Sequence, residues 1–203
     1  MSESEIAKLC REIYRKHKDA LDLIYLHIPD RQAAIKEVLE EMVSSTPGLL
    51  LDRSIKTEID FIPKEWDVPL LQKGSGWTQS GRILLFAIDN RPNKVRINLY
   101  IGPGPVDIRQ KLLDIAQANH PPFRSAYRNL NQKWNNIYIR MLLNQREIED
   151  LEFEALVEKL KTEWQKFLNS DFREIDKILK QNNWIWAETH EQQPIEDNLQ
   201  DRQ

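Results

Sequence analysis

The longest strictly patterned stretch of the chain runs from Arg82 to Ile101. Ile83 to Ile88 is apolar at successive positions, which predicts a strand buried on both faces. Val95, Ile97, Leu99 and Ile101 alternate with Arg96, Asn98 and Tyr100, which predicts a strand with one wet face. Asn90-Arg-Pro-Asn93 lies between them with turn chemistry, so the two segments form a hairpin over 82–89 and 94–101. Lys56 to Ile62 also alternates, with Thr57, Ile59 and Phe61 on one face and Glu58 and Asp60 on the other. Trp134 to Leu142 repeats the pattern: Ile137, Ile139 and Met141 on one side, Tyr138 and Arg140 on the other.

Elsewhere the period is helical. Ile6, Leu9, Cys10, Ile13, Ala20, Leu21, Ile24 and Ile28 predict one helix from about residue 4 to 28, stopped by Pro29. Asp30 can cap a second helix carrying Ile35, Val38, Leu39, Met42 and Val43, ended by Thr46-Pro47-Gly48. Ile108, Leu112 and Ile115 predict a helix from Asp107 to Ala118, broken by Pro121-Pro122. Arg146 to Leu168 reads as a long acidic helix, and a further one starts near Ser170. Pro63 to Gly81 reads as a long loop held by its tryptophans. The predicted fold is α+β: an antiparallel sheet of about four strands, an N-terminal helical pair and C-terminal helices packed on the sheet. The organisation expected is a helical pair over 1–46, an α+β domain over 47–186 and a disordered acidic, polar tail over 187–203.

Composition and charge refine this picture. The 203 residues are 40% apolar, enough for a core, and no apolar run approaches a membrane span. No secretory leader is evident at the N-terminus, and the single cysteine, Cys10, fits a cytoplasmic chain without disulfides. Cys10 falls in the first helix's apolar stripe and is expected in the core. The net charge of −3 conceals a partition: residues 91–140 hold nine bases and two acids, net +7, leaving −10 for the rest. A polyanion could bind that window, but on charge alone a solvated basic face that balances acidic helices elsewhere explains it slightly better.

Candidate chemistry is sparse. His17, His27, His120 and His190 lack neighbours at metal-ligand spacing, so no metal site or other cofactor is expected. Asp60 and Asp89 end neighbouring strands, as the carboxylates of a Mg²⁺-dependent nuclease would. Asp89 is followed by Asn90-Arg91, however, and arginine cannot stand in for the lysine of such a site. The Gly102-Pro-Gly-Pro105 corner opens a helix with Arg109 in its first turns, a phosphate seat on paper. Its two prolines donate nothing, and Asp107, expected at the N-cap, repels anions. Aromatics interleave the basic window: Tyr100, Phe123, Tyr127, Trp134 and Tyr138, with Trp66 and Trp77 just before it. Arg96, Tyr100, Arg109, Arg128, Tyr138 and Arg140 are therefore the candidate nucleic-acid contacts. If the Tyr100 and Tyr138 strands are neighbours, one face offers stacking rings beside cations; otherwise helices cover the rings as core.

At Phe61-Ile-Pro-Lys-Glu-Trp66, Gly76-Trp77, Ser80-Gly-Arg-Ile-Leu-Leu-Phe86 and Ile101-Gly-Pro-Gly104 with Arg109, the chain resembles a region attached C-terminally to certain bacterial PD-(D/E)XK superfamily nucleases. Tyr14 to Asp22 resembles the helical lead-in of that region, and the likeness covers roughly residues 10–180. The nuclease core of such proteins has no counterpart here. The resemblance thus implies a non-catalytic accessory module that helps a nuclease-type system engage nucleic acid or a partner subunit. The alternatives are a cryptic nuclease using Asp60 and Asp89, and a pure oligomerisation or protein-interaction domain.

Overall fold

The computed structural model describes residues 3–27, 30–124 and 129–187. Contacts divide the chain into two units, 1–31 and 32–203. The predicted tail from 188 onward, Ile28-Pro29, Tyr127, Arg128 and His190 lie outside the described residues.

The first unit holds helices α1 (Glu3–Lys16) and α2 (Lys18–His27). The single predicted helix is thus interrupted at His17, although His17 N–H still donates to the Ile13 carbonyl and Leu21 N–H to that of His17. The interruption falls in the run Arg15-Lys-His-Lys18, where like charges crowd one turn. Across it, the Tyr14 hydroxyl and Lys18 ammonium both donate to Asp22. The apolar stripe of α1 is not a core: Ile6, Leu9 and Ile13 are exposed, and so is Cys10, which corrects the expectation that it is buried.

In the second unit, α3 (Arg31–Ser45) buries Ile35, Leu39, Met42 and Val43. Five strands follow in sequence order as one antiparallel meander: β1 (Leu49–Ile55), β2 (Glu58–Pro63), β3 (Leu84–Arg91), β4 (Lys94–Ile101) and β5 (Asn135–Leu143). The α+β class with an antiparallel sheet is as the pattern predicts, with one strand more. The extra strand is β1, whose pairing slips between Leu51 and Arg53. That bulge breaks the alternation by which a strand is recognised. β3 is central and buried on both faces from Leu84 to Asn90. It extends through the segment predicted as a turn, leaving only Pro92-Asn93 between Arg91 and Lys94. Asn90 is not a turn residue. Its amide donates to the carbonyls of Gln32 and Lys56, while the Gln32 amide donates to the Asn90 carbonyl.

α4 (Val106–Ala118) lies between β4 and β5, and α5 (Gln145–Asp150), α6 (Phe153–Asn169) and α7 (Asp171–Lys180) follow the sheet. The long helix predicted over 146–168 is broken. α5 starts in a capping box between Asn144 and Glu147 and ends at Leu151, and Glu152 is extended. Glu149 and Asp150 sit at its C-terminal end, where the helix dipole disfavours acids.

The core is an aromatic cluster between one sheet face and α6–α7. Phe86 stacks on Phe61 (5.3 Å) and Trp66 (5.4 Å) and meets Phe167 edge-on (5.5 Å). Buried indoles find acceptors: Trp66 Nε1 donates to Asp176 and Trp164 Nε1 to Thr46. No helix among the described residues is long and apolar enough to cross a membrane. Phe86→Ala should cost about 3–5 kcal/mol, because five rings (Phe61, Trp66, Tyr138, Phe167 and Phe172) lose their common partner. Urea denaturation of the variant measures this; a loss below about 1 kcal/mol would mean the cluster is not the core.

Candidate functional site

Register decides which side chains share a face. Tyr138 pairs with Leu99, which pairs with Phe86, so Tyr138 belongs to the aromatic-core face. Its ring meets Phe86 and Phe167, its hydroxyl donates to Asp171, and only 3% of it is exposed. Burial and then the Asp171 carboxylate hold its phenol far above the ordinary value, hence neutral. Arg140, on the same face, is tied to Asp171 and Glu163. Tyr100 and Arg96 lie on the opposite face. The expectation that both tyrosines stack on one ligand therefore fails. β4 and β5 are neighbours, but Tyr138 stands opposite Leu99, the residue before Tyr100, so alternation sets the two rings on opposite sides.

The face bearing Tyr100 is laid out in rows. Glu58, Asp89, Arg96 and Met141 stand opposite one another across β2 to β5, and Asp60, Ala87, Asn98 and Ile139 form the next row. Ala87 is the small member at the centre, and above it lies a cleft of about 380 Å³. One wall is aromatic (Trp77, Tyr100 and Trp134); the other is charged (Glu58, Asp89, Arg91 and Arg96).

Both walls are fixed by local structure. Trp77 meets Tyr100 edge-on at 6.3 Å. Its ring occupies the space a Cβ on Gly102 would need, 1.9 Å from Cε3. The Gly-Pro-Gly-Pro corner is thus a packing device: Gly104 likewise admits the Ile83 side chain. It is not a phosphate seat. Pro105 is the N-cap, without a side-chain cap, and Asp107 stands in the first turn. Arg109 is buried, and its Nη2 donates to the carbonyls of Asn131 (2.7 Å) and Lys133 (3.4 Å). It holds the loop that presents Trp134 and, 5% exposed, is shut away from an incoming phosphate. Asn135 holds the same loop, donating to the Asn129 carbonyl and accepting from Asn131 N–H.

The carboxylates are committed to arginines. Arg96 Nε donates to Asp89 Oδ2 (2.9 Å), and Arg91 Nη2 lies 3.7 Å from Oδ1. Arg53 pairs with both Glu58 and Asp60. Asp60 is fully buried, its Oδ1 has no partner, and burial reinforced by Glu58 pushes its carboxyl up to about 7 against the pull of Arg53. Asp60 and Asp89 are thus on one face of adjacent strands, but a guanidinium occupies each. Lys94 stands opposite Arg91, beyond the Asp89 row. Among the described residues no three His, Cys, Asp or Glu come together to hold a metal ion. Of the six candidate contacts, Arg96 and Tyr100 line the cleft, Arg109 supports its rim, Tyr138 and Arg140 face away, and Arg128 lies outside the described residues. Sequence reasoning left Glu58, Ala87, Arg91, Trp77 and Trp134 out of the site. Alternation signals Glu58; no local pattern signals that Trp77 packs on Gly102.

The Asp60 environment makes stability depend on pH. The folded protein binds this proton more tightly than the unfolded chain, whose ordinary value is 3.8. The contribution is full below about 4 and is lost as pH rises through about 7. Asp60→Asn removes the buried charge and should raise stability at pH 8 by about 1–3 kcal/mol, with little change at pH 5. Urea midpoints at the two pH values check this; equal shifts at both would disprove it.

No protein-family model, no curated protein and no solved structure matches the chain, so its cleft is read from its own chemistry.

Proposed function

We propose that the chain is a non-catalytic binding module that engages nucleic acid through the cleft face. The observation that carries this is a recessed aromatic cleft flanked by arginines on strands of the basic 91–140 window. The setting, an accessory part of a PD-(D/E)XK nuclease-type system, is what the sequence resemblance supplies. Hydrolysis at Asp60 and Asp89 is disfavoured because both carboxylates are neutralised by Arg53 and Arg96, and releasing either would strand a buried charge. An assembly role is the second reading. It is favoured by the exposed stripe Ile6, Leu9 and Ile13 on α1.

Affinity should be modest and salt-sensitive, because a seven-charge excess permits few phosphate contacts and the acidic remainder opposes approach. A dissociation constant of about 10⁻⁴–10⁻⁶ M is expected near physiological salt. Anisotropy of labelled oligonucleotides at about 50 and 200 mM salt measures it. Lys94→Ala and Lys133→Ala should each lower the salt slope by about 1. Incubation with Mg²⁺ or Mn²⁺ should leave plasmid and single-stranded DNA intact, and cleavage abolished by Asp89→Ala would establish the enzyme instead. Absence of binding at the lower salt, with a mass that grows with concentration in light scattering, would favour assembly.

A further inference from the structure

We propose that the cleft receives one unstacked base of a single-stranded nucleic acid, stacked on Trp134 and Tyr100 with its pairing edge turned to Asp89 and Arg96. This rests on the nucleic-acid reading above and narrows it.

Three properties of the cleft select this ligand. Its volume, about 380 Å³, is at the small end of ligand pockets (about 300–1,000 Å³) and suits one planar group. Its aromatic wall is built before any ligand arrives: Gly102 lets the Trp77 ring settle against the backbone, and Arg109 and Asn135 fix the loop bearing Trp134. Trp134 is nonetheless 46% exposed, an indole held out to solvent beside Lys133, whose ammonium lies 5.9 Å from the ring. Rings ordered in advance lose little entropy on stacking.

The charged wall decides between ligand classes. A lone phosphate would meet Glu58 and Asp89 as well as the arginines, and the carboxylates repel it. A quaternary or primary ammonium suits an aromatic cage, but Arg91 and Arg96 repel it. A base edge carries N–H donors and carbonyl or ring-nitrogen acceptors side by side. It therefore complements the Asp89–Arg96 pair on β3 and β4: Arg96 takes Oδ2, while Oδ1, with Arg91 Nη2 at 3.7 Å, keeps an acceptor site for a base N–H. In a duplex that edge is paired and the ring stacked, so a recessed cleft reaches neither. A single strand exposes both, as aromatic platforms for single strands require. The strand's phosphates then pass Lys133 on the rim and Lys94 at the hairpin end.

The test is anisotropy of labelled homopolymer single strands and of a duplex of equal length, using the full chain at about 50 mM salt. Single strands should bind at least about tenfold more tightly than duplex. Trp134→Ala and Tyr100→Ala should each weaken single-strand binding by about 5- to 150-fold. Trp134→Phe should retain most of it, and duplex binding should be unchanged throughout. Trp134 is an exposed loop residue, so its variants are expected to melt as the parent does. Equal affinity for both forms, or undiminished single-strand binding by Trp134→Ala, overturns base capture while leaving the binding module intact. No binding to either form overturns both.

Discussion

The ring of Phe86 is where the layers of the second unit meet. It stands at the middle of the central strand, stacks on Phe61 from the neighbouring strand and on Trp66 from the connection beyond it, and takes the edges of Tyr138 and Phe167. Sheet, connection and C-terminal helices thus share one buried partner. Because side chains alternate along a strand, fixing Phe86 inward forces Leu85, Ala87 and Asp89 to the other side. The candidate site is the obverse of the core. Ala87 leaves the dip, and Asp89 supplies its charged wall only because Phe86 and Ile88 are anchored behind them.

This coupling explains how far the sequence could be read. Strand periods showed which residues of a single strand travel together, and those groupings hold: Arg96 with Tyr100, Tyr138 with Arg140. The relative phase of two strands is a property of pairing, not of either pattern, and irregular pairing between β4 and β5 makes it unreadable locally. Hence the two tyrosines, equivalent by spacing, have opposite fates. The missed strand β1 has the same origin, since its bulge after Leu51 puts the alternation out of step. Cys10 shows the converse: a helical period reports one-sidedness, and the exposed stripe of α1 is one-sided without being buried.

The arginines of the cleft face serve two purposes. Arg53 and Arg96 keep Glu58, Asp60 and Asp89 tolerable in a sheet where those acids are shielded from water. A buried pair of this kind adds little net stability over apolar packing, but removing the arginine strands a buried carboxylate and is costly. The pairs therefore fix the position of each carboxylate more than they strengthen the fold. A charged wall so pinned presents donors and acceptors at set places, which is what discrimination among planar ligands requires. Asp60 Oδ1 is among the buried polar atoms left without a partner, and a proton on this carboxyl relieves it.

The long-range closures bear on how the chain reaches this state during synthesis. Each strand of the meander pairs with the one just made, so the sheet can grow as the chain emerges. The bonds that lock the helical layer span far greater separations: Trp164 to Thr46 and Trp66 to Asp176 each join residues more than a hundred positions apart. Until α6 and α7 leave the ribosome, the Phe61–Phe86–Trp66 surface has no cover. An emerging chain therefore carries an uncovered aromatic sheet face from the making of β3 until α6 and α7 follow, which exposes it to aggregation. Truncation before residue 153 would make that interval permanent.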